Sequence, residues 1–209
     1  MSHLPRLVAL ALAAAVSGCG RPAANPVPAL SPASALDPAA PDVAESTQYR
    51  DWANFPVGTV LTQRTTTDSA KTPGQTLTTI TFALKEMSDT ALVVEWQATT
   101  EYHGGRVDKN PAVTERRPRF IKLAAGVKKE DYGKPVGKAG GEELTMAGIK
   151  CRCAVHKSSS TTDAGAMTTT TWTSADMPGG LVKAVSLVPA VEETTTIEVS
   201  DVKIPAVNP

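Results

Sequence analysis

Two neighbouring segments alternate their side chains with a period of two. From Leu77 to Leu84, Ile80, Phe82 and Leu84 fall on one side and Thr79, Thr81 and Ala83 on the other. After Ser88-Asp89-Thr90, the set Leu92, Val94, Trp96 and Ala98 is interleaved with Val93, Glu95, Gln97 and Thr99. Successive residues of a strand point to opposite faces, so this spacing predicts a β-hairpin closed by a short polar turn. Composition agrees: 26 threonines are concentrated between Thr59 and Thr196, and Thr packs well on a pleated surface.

Further segments continue the pattern. Thr59 to Asp68 reads as a Thr-rich strand ending in the turn Lys71-Thr-Pro-Gly74. Glu142–Met146, Gly148–His156, Met167–Ser174, Leu181–Leu187 and Glu193–Ile204 follow, separated by turn signals that include Pro178-Gly179-Gly180. Between Gly104 and Gly141 seven glycines and three prolines leave one good strand candidate, Arg119 to Leu123. Gln48 to Gly58 has room for one helical turn, stopped by Pro56. The expected fold is mainly β: a curved antiparallel sheet or half-barrel meander with little helix.

The N-terminal residues carry a different message. Arg6 precedes an unbroken apolar run from Leu7 to Val16. Ten residues fall short of the roughly 20 needed to span a bilayer but match the core of a signal peptide. The following Val16-Ser17-Gly18-Cys19 resembles the bacterial lipobox. That resemblance implies cleavage after residue 18 and acyl chains, palmitate among them, on Cys19; several chains together anchor firmly. Gly20, a residue other than Asp after the lipidated Cys, implies the outer membrane in a Gram-negative source. From Gly20 to Thr47 the chain holds six prolines and eight alanines, a semi-extended tether whose 28 residues reach roughly 85 Å. The expected organisation is a signal peptide over 1–18, a lipidated tether over 19–47 and one β domain over 48–205.

Conventional chemistry is hard to find. Gly-x-Ser-x-Gly, phosphate-cradling loops and His-Glu-x-x-His are all missing from the text, so no enzyme activity and no cofactor are expected. In Cys151-Arg-Cys153-Ala-Val-His156, strand alternation puts both thiols with Ile149 and Val155, and His156 with Lys150 and Arg152. Residues i and i+2 of a strand lie about 6.6 Å apart, against the roughly 3.8 Å between bridged β-carbons, which favours buried thiols. A strained disulfide at a bulge, and a metal or redox site joined by Glu101 and His103, stay open as alternatives. Glu142-Glu143 and Glu192-Glu193 are adjacent in strands and so point to opposite faces.

The formal charge is zero and aromatics make up 4% of the chain, which argues against a nucleic-acid partner. The charge is uneven, however. Lys109 to Lys138 holds nine Lys/Arg against three Asp/Glu, a basic stretch that reads either as a solvated loop or as a docking segment for an anionic surface or partner.

The most specific text lies in Gly141-Glu-Glu-Leu-Thr-Met-Ala-Gly148, Cys151 and Thr171-Trp172-Thr-Ser-Ala-Asp-Met-Pro178-Gly179-Gly180-Leu-Val-Lys183. It resembles a group of exported bacterial lipoproteins of unknown function, and more remotely the half-barrel superfamily of lipoprotein carriers such as LolA, LolB and LppX. The resemblance implies a concave sheet that holds an apolar ligand or a protein partner. Trp96 and Trp172 are then candidate ligand-contacting walls, with core packing as their other reading. A lipid-anchored, non-enzymatic envelope protein is the first expectation. A metal or redox protein and a purely structural module docking through residues 109–138 are the alternatives.

Overall fold

Each long strand in the computed structural model, which describes residues 36–70, 74–134 and 140–206, is apolar toward one end and hydroxylated toward the other. The strands are β1 (Val43–Glu45), β2 (Val60–Ser69), β3 (Thr76–Met87), β4 (Ala91–Glu101), β5 (Val107–Lys109), β6 (Val113–Pro118), β7 (Phe120–Lys122), β8 (Gly140–Met146), β9 (Ile149–Thr162), β10 (Gly165–Thr173), β11 (Leu181–Val188) and β12 (Glu193–Lys203). One helix of more than a single turn, α1 (Thr47–Ala53), is present among the described residues, and no helix there is long and apolar enough to cross a membrane.

Ten strands form one antiparallel sheet in the order β5-β4-β3-β2-β12-β11-β10-β9-β8, with β6 also beside β4; β1 and β7 form a separate pair. The sheet is not closed into a barrel. It does curl: β8 comes close to β12 although β11, β10 and β9 lie between them in the sheet. Register shifts at Lys85, Val182 and Ser200 mark bulges, which sharpen local twist and bend.

Because partners in a ladder share a face, the pairings trace the inner surface. Thr76, Thr67, Thr195, Ser186, Thr169 and Ser158 make one row across six strands. The next row is Thr100, Thr78, Thr65, Ile197, Ala184, Thr171 and His156. Ala98, Ile80, Gln63 and Val199 follow, then Trp96, Phe82 and Leu61. On the central strand β2 the inner residues Leu61, Gln63 and Thr65 are buried while Arg64 between them is exposed.

The core fills the apolar end of this face. Tyr49 and Trp52 of α1 pack with Leu61, Leu84, Leu92, Val94, Val182 and Val199. The same cluster takes in Met177 of the β10–β11 loop and Cys151 and Cys153 of β9. Register places Cys153 and Val155 on the face opposite Thr171 and His156, so the core continues round this end of the sheet.

Two expectations need correction. The stretch 104–141 holds three strands, not one. β5 and β6 pair with opposite ends of β4 around Asn110-Pro111, a strand broken by residues that signal a turn. Residues 43–46, assigned to the tether by their Pro/Ala-rich surroundings, also belong to the fold. Val43 and Ala44 are buried and pair with Lys122 and Ile121, a partnership about 80 residues away in sequence that local composition does not reveal. The remaining strands lie where the alternation predicts them, within three residues at their ends, except that β9 runs six residues past His156 to Thr162.

Candidate functional site

Thr and Ser dominate the uncovered end of the inner face, and their hydroxyls pair across strands. Thr67 Oγ1 lies 3.3 Å from Thr195 Oγ1, Thr78 Oγ1 3.1 Å from Thr100 Oγ1 and Thr169 Oγ1 2.9 Å from Ser186 Oγ. Each such pair uses one O–H and leaves a second O–H and several lone pairs for another molecule. All six members of the outermost row are half-buried rather than sealed. Spaced by strand separation, that row spans about 24 Å.

Charge is thin only in the middle of the inner face. Between β4 and β9 its four rows contain no Asp, Glu, Lys or Arg, but the same registers put Asp108 beside Thr100, Glu115 and Arg117 beside Val94 and Leu92, and Arg152 on the face of His156. The opposite face of the same strands carries Glu101, Arg64, Glu198, Lys183 and Lys157. At the boundary between core and hydroxyls sits Gln63, 6% exposed. His156, at the end of the second row, has a buried Nδ1 without a hydrogen-bond partner among the described residues. These polar groups and the hydroxyl rows had no signature in the sequence, where Gln63 reads as one more polar residue of a Thr-rich strand.

Trp96 stands on the inner face, half-buried between Phe82 and Val113 in neighbouring strands. Trp172 stands on the other face and is already engaged. Its indole N–H donates to Glu142 Oε2 at 2.6 Å across β9, and Lys183 Nζ lies 5.7 Å from its ring centroid. The Trp therefore braces edge strand β8 to β10. Pro178-Gly179-Gly180 is no free hairpin tip either: Pro178 is buried, and the Gly179 N–H donates to the Asp51 carbonyl of α1 at 3.0 Å. A Cβ on Gly180, whose φ is +76°, would lie 2.8 Å from Asp51 Oδ2. Burial holds the Asp51 carboxyl above the ordinary carboxylate range, partly opposed by Arg50.

Cys151 and Cys153 are free thiols, 0% and 3% exposed. Burial raises both thiol pKa values; Cys153 and Asp176 add to the effect on Cys151, and Glu142 to that on Cys153. Glu101 and His103 are exposed at the end of β4, which is separated from β9 by five strands, so the fold does not bring the four together. The His103 ring rests against Gly74 and leaves no room for a Cβ there. No group of three or more His, Cys, Asp or Glu placed to hold a metal ion occurs among the described residues. A cavity of about 60 Å³, lined by Glu86, Met87, Ser88, Ala91, Val93 and Arg116, lies at the β3–β4 turn and is too small for a lipid chain. Cys19 lies outside the described residues.

Three residues of the basic stretch, Arg119, Lys122 and Lys129, are engaged by the chain's own N-terminal arm. Arg119 Nε donates to Glu45 Oε1 at 2.8 Å and its guanidinium covers the rings of Tyr49 and Phe120. Lys122 lies 3.5 Å from Asp42, and Lys129 donates to the Pro38 carbonyl at 2.7 Å. Arg117 and Lys134 pair with Glu115 and Asp131. This segment pins the point where the chain enters the domain. Arg119→Ala is expected to speed hydrogen exchange of the Val43–Ser46 amides while leaving the sheet amides unchanged; equal protection in both proteins would show that the arm needs no clamp.

Comparison with known proteins adds remote likenesses. No family model and no curated protein matches the chain. Among solved structures, a Bacteroides fragilis protein assigned as exported, with a YmcC-like fold, aligns with 9% identity over 71% of this chain and 97% of its own, at a TM-score of 0.40. A protein assigned as a lipoprotein from Parabacteroides distasonis aligns with 14% identity over the same shares, at 0.41. A domain assigned as an outer membrane lipoprotein-sorting protein, from Vibrio parahaemolyticus, aligns with 8% identity over 72% of this chain and 86% of its own, at 0.23.

Proposed function

We propose that this protein is a lipid-anchored, non-enzymatic component of the cell envelope that binds a ligand or partner on the inner face of its curved sheet. The observation that carries the binding half is the make-up of the inner face: apolar side chains fill one end, and half-buried Thr and Ser hydroxyls line the other across six strands. Because α1 and the β10–β11 loop occupy the apolar end, the geometry favours a molecule lying on the open half over an acyl chain held in an internal cavity. The lipobox text at Val16–Cys19 supports the anchor, and Gly20 supports the outer membrane for a Gram-negative source.

Cys19→Ser in the full chain tests the anchor. The variant is expected to lose fatty-acid incorporation and to move from the membrane to the soluble fraction; a variant that stays on the membrane overturns it. Native mass spectrometry of that variant, incubated with acyl lipids and with soluble envelope oligosaccharides, tests the binding half. Stoichiometric adducts of either class support it, and the bare protein in every sample overturns it.

A further inference from the structure

Resting on the lipid-anchor reading, we propose that the domain lies on the bilayer that holds Cys19, touching it through Val57 and Ile204, with the hydroxyl-lined end of its sheet turned away. The two ends of the sheet differ in chemistry. At the end closed by α1, the stretch Asn54–Thr59, the β8–β9 turn Ala147-Gly148 and the segment Ile204–Ala206 carry no charged residue. The β3–β4 turn and the β10–β11 loop add one acid each, Asp89 and Asp176. The opposite end carries Glu101, Arg106, Asp163, Glu192 and Glu193 at its strand ends and turns. A loop that meets only water gains nothing by omitting charge, whereas a charged side chain carried into a bilayer is costly.

Apolar exposure is the second observation. Val57 and Ile204 are 51% and 47% exposed. They sit side by side: β2 and β12 are paired at Val60 and Lys203, and a Cβ on Gly58 would lie 3.0 Å from Pro205 Cγ. Phe55 and Pro56, both half-buried, precede Val57 in the same loop. Single exposed apolar residues are ordinary on a protein surface, but neighbours on uncharged loops have the make-up of an interfacial contact.

The chain's own connection identifies what covers them. The N-terminal arm joins the domain at this end. The Ser46 N–H donates to the Arg119 carbonyl at 2.7 Å, and the Arg119 N–H donates to the Thr90 carbonyl of the β3–β4 turn at 2.8 Å. Sixteen residues, 20–35, lie between Cys19 and Leu36, where the described chain begins. A chain of that length spans at most about 60 Å. An acylated Cys19 therefore keeps this end of the domain beside the bilayer at high effective concentration, where a modest apolar contact suffices. The lysines at the rim are already paired, Lys150 with Glu143 at 2.7 Å and Lys203 with Asp201 at 3.7 Å, so the contact needs no anionic lipid.

The experiment uses the lipidated chain reconstituted in phosphatidylcholine–phosphatidylethanolamine vesicles. A fluorophore is placed on Val57→Cys or, at the opposite end, on the exposed Ala164→Cys; the native thiols Cys151 and Cys153 are buried and stay unlabelled. Quenching by aqueous iodide is expected to fall about threefold or more at position 57, relative to the chain from residue 19 carrying Cys19→Ser free in buffer, and to be unchanged at position 164. The protection should persist in about 0.5 M salt. With the fluorophore moved to Asn54→Cys, Val57→Asp together with Ile204→Asp should abolish protection while the protein still floats with the vesicles. Unchanged quenching at position 57 in a floating protein overturns the docking and leaves the anchor standing; a chain that does not float overturns both. Protection that requires phosphatidylglycerol and vanishes in salt assigns the contact to the basic residues 109–138 and overturns the inference. A dimer in detergent that the double Asp variant separates gives the patch to a second copy and overturns it as well.

Discussion

Trp52→Ala should be the most damaging single substitution in the domain, lowering the unfolding free energy by about 3–5 kcal/mol. Trp52 is 2% exposed and is the largest side chain in the buried cluster, which takes in Leu61, Leu84, Val94 and Val182 from both halves of the sheet. It also sets how closely the β10–β11 loop can approach: a Cβ on Gly179 would lie 3.2 Å from the Trp52 Nε1. Alanine would open a cavity between α1, that loop and the sheet, and the rigid strands leave little scope for collapse into it. A domain of this size has a total stability of about 5–15 kcal/mol, so roughly a fifth or more of it is at stake. Urea unfolding checks this as a lower midpoint with unchanged slope, and a thermal scan as a fall of roughly 10 °C. A loss below about 1 kcal/mol would mean that α1 is an accessory to the sheet and not its plug.

How much of this was legible in the text depends on the range of the interaction. Ile80, Phe82 and Leu84 face Ala98, Trp96 and Val94 across β3 and β4, as period-two spacing and the Ser88-Asp89-Thr90 turn require. That information is local. The site is not local in the same sense. Thr67 and Thr195 are hydrogen-bonded neighbours 128 residues apart, and which threonines share a face is settled by bulges at Lys85, Val182 and Ser200 that alternation does not announce. The segregation of hydroxyls to one end follows the same logic. β2 begins apolar and ends in Thr, β3 begins in Thr and ends apolar, and β4 reverses again. Each run taken alone is only a polar strand end; antiparallel pairing brings the runs together. The arm at Val43–Glu45 stayed hidden for a related reason, because its partner β7 lies beyond six intervening elements of the chain.

The second large effect concerns the thiols. In the Cys19→Ser chain, where Cys151 and Cys153 are the only cysteines, both are expected to be silent to an aromatic disulfide reagent in native buffer and to release two equivalents on unfolding. The native rate should be slower by about 10³-fold or more, because the reagent reaches either sulfur only when the fold opens. Access is half the reason, at 0% and 3% exposure. Ionisation is the other half: burial raises both thiol pKa values, and the thiolate is the reacting species. The pH dependence has a definite sign. A thiol whose folded pKa lies above its unfolded value, about 8.5, contributes stability that is fully present below that pH and is lost as pH rises through the folded value. Labelling should therefore accelerate in alkali faster than thiolate formation in an unfolded peptide predicts, because alkali also opens the fold. Diamide should give no intramolecular bridge in the native protein, since i, i+2 partners in a regular strand stand about 6.6 Å apart against the roughly 3.8 Å a disulfide requires. Rapid labelling of one thiol in native buffer, or a stoichiometric metal released with the thiols, would instead make Cys151 and Cys153 a working pair and favour the metal or redox alternative.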